Sequence, residues 1–223
     1  MPDDVLSLTP IFRSEDPEGR ARRLFDYRPG GAGDAWVYAY GSLMWDPGFP
    51  VLEARPALLH GYHRRFCVYS YRYRGTPEQP GLVLGLDKGG ACRGLAYRVA
   101  EAHLPEISAY LWDREMGSGV YHPLPRRLRT ADGQVQALTF IVNRRHPQYA
   151  GLLNREQIAA LVALGCGGRG RCRDYLLNTL AQLAALGVAD RALASLDQMV
   201  ERLEAGLAPM PALPPAPTDP THF

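Results

Sequence analysis

The apolar residues of this 223-residue chain change their spacing two-thirds of the way along it, and that change constrains the fold most. Up to about residue 143 they come in short runs cut off by turn residues. The first run, Trp36-Val37-Tyr38-Ala39-Tyr40, is aromatic and β-branched, and Gly41-Ser42 stops it. Strand-like runs follow at about 56–62, 64–73, 81–87, 92–99, 120–128 and 135–143. Leu82, Leu84 and Leu86 alternate with Val83 and Gly85, the pattern of a strand with one buried face. The run containing Ala137 to Val142 is apolar on both sides. So many short strands with tight turns predict a closed or strongly curled sheet. Strands first and helices later read as α+β: a curled or barrel-like mixed sheet of six to seven strands with flanking helices.

The helical part has its own punctuation. Leu104-Pro105-Glu106 opens a helix with proline near its first position. Asn154 opens another, with Gln157 three residues on as a capping box. A third is predicted from Arg173 to Leu186, stopped by Gly187, and a last one from Arg191 to Glu204. Leu193, Leu196, Val200 and Leu203 give that helix its apolar stripe. The polar residues 1–34, with an isolated Arg22-Arg23-Leu24-Phe25 patch, read as an irregular arm that docks onto the body. The body is 35–206. Six prolines among residues 209–223 make 207–223 a disordered or extended tail.

Composition narrows the function classes. At 46% hydrophobic and 22% charged residues, wholesale disorder is excluded. The net charge of +2 argues against a nucleic-acid binder, although 24 of the 25 basic residues are arginine. No stretch reaches the roughly 20 apolar residues of a membrane helix. The acidic start, Met1-Pro2-Asp3-Asp4, does not resemble a secretory signal, so a cytoplasmic protein is expected. Four scattered cysteines suit neither a disulfide framework nor a zinc site. His60 and His63, three apart in a strand-like run, point to opposite faces. There is no G-x-S-x-G, no Walker A loop and no dinucleotide fingerprint; Gly165 to Gly170 follows a helix-like segment rather than a strand. No metal and no cofactor are expected.

Two places can carry chemistry. Leu104, Ile107 and Leu111 form one helical stripe, and four residues further lies Glu115. A carboxylate there is either salt-bridged or capping a loop, or it is desolvated, with a raised pKa suited to proton transfer. Tyr40-Gly41-Ser42-Leu43 is either an ordinary strand end or a turn whose free N–H groups hold a carboxylate or oxyanion.

Five segments, in order, resemble the ChaC-type gamma-glutamylcyclotransferases. They are Tyr38-Ala39-Tyr40-Gly41-Ser42-Leu43-Met44-Trp45, Arg74-Gly75-Thr76-Pro77 with Pro80-Gly81, Gly94-Leu95-Ala96-Tyr97-Arg98, Tyr110 to Met116, and Gly170-Arg171-Cys172-Arg173-Asp174-Tyr175-Leu176. Ala39 and Cys172 stand where many members have glycine and asparagine. The resemblance implies a glutathione-cleaving enzyme, a lyase that releases 5-oxoproline and Cys-Gly without metal or cofactor. It implies Glu115 as general base and then acid. The γ-glutamyl part would be cradled by Val37, Tyr38, Ala39, Tyr40, Gly41, Ser42 and Leu43, with Arg74 and Tyr175 as further substrate contacts and Tyr121 as a weaker one. A small-molecule partner is expected, with no nucleic acid and no membrane. The alternatives are other γ-glutamyl peptides or amines as substrates, or a non-catalytic γ-glutamyl-binding or regulatory module.

Overall fold

A computed structural model describes residues 24–28 and 31–217. Its centre is a closed barrel of five strands: β1 (Ala35–Ala39), β2 (Glu53–Ser70), β3 (Gly81–Val99), β4 (Tyr121–Thr130) and β5 (Gly133–Val142). Neighbours run in the order β1-β3-β2-β4-β5, antiparallel throughout, and parallel pairings of β5 with β1 and β3 close the ring.

The sheet is mixed and barrel-like as expected, but the seven strand-like runs form five strands. The runs 56–62 and 64–73 belong to β2, and 81–87 and 92–99 belong to β3. What reads as a strand end is a bend inside a long hairpin. Gly61 (φ +82°) lies opposite Gly89 (φ +105°) and Gly90 (φ +67°), and the register slips between His60 and Tyr62. Glycine takes this left-handed backbone without penalty, so both strands turn together and wrap round the barrel.

The helices flank the barrel. They are α1 (Leu104–Leu111), α2 (Arg155–Leu164), α3 (Cys172–Ala185) and α4 (Arg191–Glu204). Asn154 and Gln157 form the expected capping box on α2, and the Asp190 carboxylate accepts the Leu193 N–H at 3.1 Å to cap α4. A short hairpin, β6 (Cys166–Gly167) with β7 (Gly170–Arg171), joins α2 to α3. Arg22 and Arg23 lie outside the described residues, while Leu24 and Phe25 are buried in the core. The described part of the tail has no regular secondary structure. It lies against the body through Leu213 and Ala216, with Gln157 donating to the Ala212 carbonyl at 3.2 Å.

The glycine-rich stretch 165–170 has a packing role that its sequence did not reveal. A Cβ on Gly81 would stand 2.0 Å from the Arg74 carbonyl oxygen, and one on Gly75 would stand 2.1 Å from the Gly81 nitrogen. On Gly165 it would meet the Gly81 Cα at 2.7 Å, and on Gly167 the Gly75 nitrogen at 2.6 Å. Four glycines thus let the β2–β3 loop and the β6–β7 hairpin touch backbone to backbone. Gly81→Ala should cost at least ~1–3 kcal/mol, because backbone cannot give way as a flexible side chain does. At roughly 2–4 °C per kcal/mol for a domain of this size, the melting temperature should fall by roughly 2–12 °C. Calorimetry checks this, and an unchanged melting temperature would refute the close packing.

Candidate active site

A cavity of about 390 Å³ opens where the β1 end, the α1 end and the β2–β3 loop meet. Gly41, Ser42 and Leu43 form one wall, Arg114 and Glu115 another, and Tyr40, Tyr121 and Tyr175 line the space between. β1 ends at Ala39, and Ser42–Met44 makes one tight helical turn. The first N–H groups of such a turn have no partner within it. Tyr175, near the start of α3, brings its hydroxyl up to this turn: a Cβ on Gly41 would meet it at 2.7 Å. Glycine at 41 is what allows that approach.

Helix α1 runs on into a π-helical turn, Trp112–Met116. Leu104, Ile107 and Leu111 are buried as their stripe requires, and the wider turn leaves both Arg114 and Glu115 on the cavity wall. The Glu115 side chain is 15% exposed, and burial raises its pKa above the ordinary carboxylate value. The nearby Arg114 charge, a hydrogen bond from Arg114 and the more distant Arg169 pull it back only in part. Tyr40, Tyr121 and Tyr175 are held protonated well above the usual phenol range, first by burial and then by the charges of Glu115 and of neighbouring phenols. They surround the carboxylate as neutral groups. Tyr40 donates to the Phe140 carbonyl at 3.2 Å and Tyr121 to the Leu84 carbonyl at 2.8 Å.

Arg114 ties the two catalytic-looking segments together. Its guanidinium donates to Ser42 Oγ at 2.9 Å, to the Asp46 carbonyl at 2.7 Å and to the Tyr110 hydroxyl, and its Nε lies 3.3 Å from Glu115. Reasoning from sequence missed this role, although Arg114 stands beside Glu115 in the quoted motif. A cation adjacent to a stripe-continuing carboxylate was the available signal. Arg74 lines the cavity, lies 5.3 Å from the centre of the Tyr175 ring and donates to the Arg171 carbonyl at 3.0 Å.

Three expected residues are not on the cavity wall. Val37, Tyr38 and Ala39 are fully buried inside β1, which is laddered to β3. The Tyr38 hydroxyl donates to the Cys92 carbonyl at 2.8 Å, so it is a satisfied core tyrosine. These residues deliver the turn but do not line the site. Cys172 keeps a side-chain hydrogen bond where asparagine is common: its thiol donates to the Leu82 carbonyl at 2.8 Å, and burial pushes its pKa up to about 12.

Among the described residues, no three His, Cys, Asp or Glu side chains converge as metal ligands, and no helix is long and apolar enough to cross a membrane. All four cysteines are free; Cys67, Cys92 and Cys172 are buried and Cys166 is exposed. A native sample should therefore titrate one fast thiol per chain with an aromatic disulfide reagent, and Cys166→Ser should remove it. Rapid reaction of a second thiol would contradict the burial.

The family model of ChaC-like proteins matches residues 35–203, most of the chain. The chain belongs to that family. Among the relatives of this ChaC-like protein is the glutathione-specific gamma-glutamylcyclotransferase of Escherichia coli (strain K12). It is 39% identical over 172 residues, which cover 77% of this chain and 74% of that one. Glutathione-specific gamma-glutamylcyclotransferase 1 of Danio rerio is 33% identical over 167 residues, 72% of this chain and 84% of the relative. In structure, the chain is similar to the yeast gamma-glutamyl cyclotransferase specific to glutathione. The TM-score is 0.72 and the identity 21%, over 77% of this chain and 97% of that one. At that identity the likeness establishes the fold.

Proposed function

We propose that this ChaC-like protein cyclises and releases the γ-glutamyl group of glutathione, giving 5-oxoproline and Cys-Gly. One observation carries the reading: a desolvated carboxylate with a raised pKa lines the same cavity as a turn whose Gly41 N–H has no acceptor among the described residues. The substrate supplies its own nucleophile. Its α-ammonium gives up a proton, and the freed lone pair attacks the γ-carbonyl carbon, so a ring C–N bond forms. The bond from that carbon to the cysteinyl nitrogen then breaks. The protons shed by the ring nitrogen end on the departing cysteinyl nitrogen, so none is consumed.

Glu115 is the group that relays them, as base and then as acid. Holding the γ-glutamyl chain curled supplies much of the remaining rate, because attack within one molecule needs orientation rather than encounter. In this reading the N–H groups of Gly41, Ser42 and Leu43 hold the γ-glutamyl part. Arg74, stacked on Tyr175, is a cation suited to one of the substrate's carboxylates. The working unit is 35–206. Four free cysteines favour a reducing, cytoplasmic setting.

Incubation with glutathione should yield 5-oxoproline and Cys-Gly in equal amounts. A panel of γ-glutamyl dipeptides and γ-glutamylamines tests the substrate class. Release from these but not from glutathione would replace the substrate, and release from none would favour a binding module.

A further inference from the structure

Arg64 is a buried cation outside the cavity wall. Its side chain on β2 is 3% exposed, and arginine is almost never buried so completely unless it is paired. Its only carboxylate partner among the described residues is Asp190, 3.4 Å from one terminal nitrogen, and Asp190 is itself 22% exposed. The other contacts are neutral. Nε donates to the Tyr40 carbonyl at 2.8 Å, and a terminal nitrogen donates to the Arg93 carbonyl and lies 3.4 Å from the Cys92 sulfur. An ion pair alone would not need the guanidinium drawn so far inside. The acceptor at its inner end, Tyr40, is the residue immediately before the site turn.

The consequence follows from peptide geometry. No peptide bond among the described residues is cis, so the N–H of each peptide points opposite to its C=O. With the Tyr40 carbonyl fixed toward Arg64, the Gly41 N–H is aimed the other way. Gly41 lines the cavity, and no acceptor among the described residues takes its N–H. A charge-assisted bond to the carbonyl also polarises that peptide and makes its N–H a stronger donor. We infer that Arg64 is a positioning residue: it sets and strengthens the Gly41 N–H as a donor to the substrate without touching substrate itself. This rests on the reading that the turn at 41–43 holds the γ-glutamyl group. Because a guanidinium stays charged throughout the working pH range, its effect belongs in affinity and not in the pH profile.

The test compares four variants by KM, kcat, pH profile and melting temperature. Arg64→Met should raise KM for glutathione at least tenfold and leave the pH of half-maximal rate unchanged. Arg64→Lys can still donate to the Tyr40 carbonyl and should recover part of that KM, while its melting temperature stays low. Asp190→Asn removes the ion pair but keeps a capping side chain for α4; it should lower the melting temperature and leave KM at the wild-type value. If Arg64→Met fails to fold, Arg64→Lys against Asp190→Asn decides. Equal KM in those two overturns the proposal, and so does a folded Arg64→Met with wild-type KM. Gly41→Ala separates this failure from that of the underlying reading. If it raises KM when the Arg64 variants do not, only the role of Arg64 falls; if it too leaves KM unchanged, the turn is not the binding element.

Discussion

Glu115→Gln should lower kcat for 5-oxoproline release by at least ~10²–10⁴-fold, the usual worth of a general acid–base group. KM should move little, because glutamine fills the same space beside Arg114. Stability should not suffer. Burial raises the carboxyl pKa, so the folded chain binds this proton more tightly than the unfolded chain does. The stability from this group is therefore fully present below the unfolded value and is lost as pH rises through the folded one. Above its folded pKa the wild type carries an ionised, desolvated carboxylate that the variant lacks. The variant should melt at the same temperature or higher, and its advantage should shrink as pH falls. Calorimetry at two pH values beside a 5-oxoproline assay measures both effects. A folded variant that turns over normally would remove Glu115 from the mechanism. The wild-type rate should fall with decreasing pH at a pH above that of an ordinary glutamate, since the base must be ionised to accept a proton.

Much of this was legible in the sequence, for physical reasons. The α1 stripe pointed to Glu115 because helical spacing fixes which residues share a face, and the π-turn widened the end of that helix without removing Glu115 from the cavity. The capping box at Asn154 was readable because it depends on residues three apart. What lay hidden depends on contacts distant in sequence. The bends at Gly61 and Gly89-Gly90 look like strand ends until the two strands are seen to bend together. The glycines at 75, 81, 165 and 167 serve one close packing but lie up to 92 residues apart, as 167 minus 75 gives. Local pattern also could not separate β1 as a support from β1 as a wall. Val37, Tyr38 and Ala39 sit next to the turn in the chain, yet the barrel encloses them completely.

Arg114 is where fold and chemistry are joined, and its removal should affect both. Its side chain is 8% exposed and its donors hold Ser42, Asp46 and Tyr110, so Arg114→Met strands three acceptors and frees the turn from the helix end. Hydrogen bonds from a charged donor are worth ~1.5–3 kcal/mol each, so several lost together should lower the melting temperature by many degrees. The second effect has a definite sign. The Arg114 charge lowers the Glu115 pKa, partly opposing burial. Without it the carboxyl holds its proton to still higher pH, and the acid limb of the rate profile moves up. Arg114→Lys separates the two effects. It keeps a positive charge beside Glu115 but not the planar fork, so it should lose stability while leaving the acid limb near the wild-type position. Rate profiles and melting curves of the two variants, taken together, decide. If both shift the limb equally, the charge of Arg114 does not act on Glu115. If neither lowers the melting temperature, the guanidinium does not clamp the turn, and the turn and the carboxylate must be held in register by packing alone.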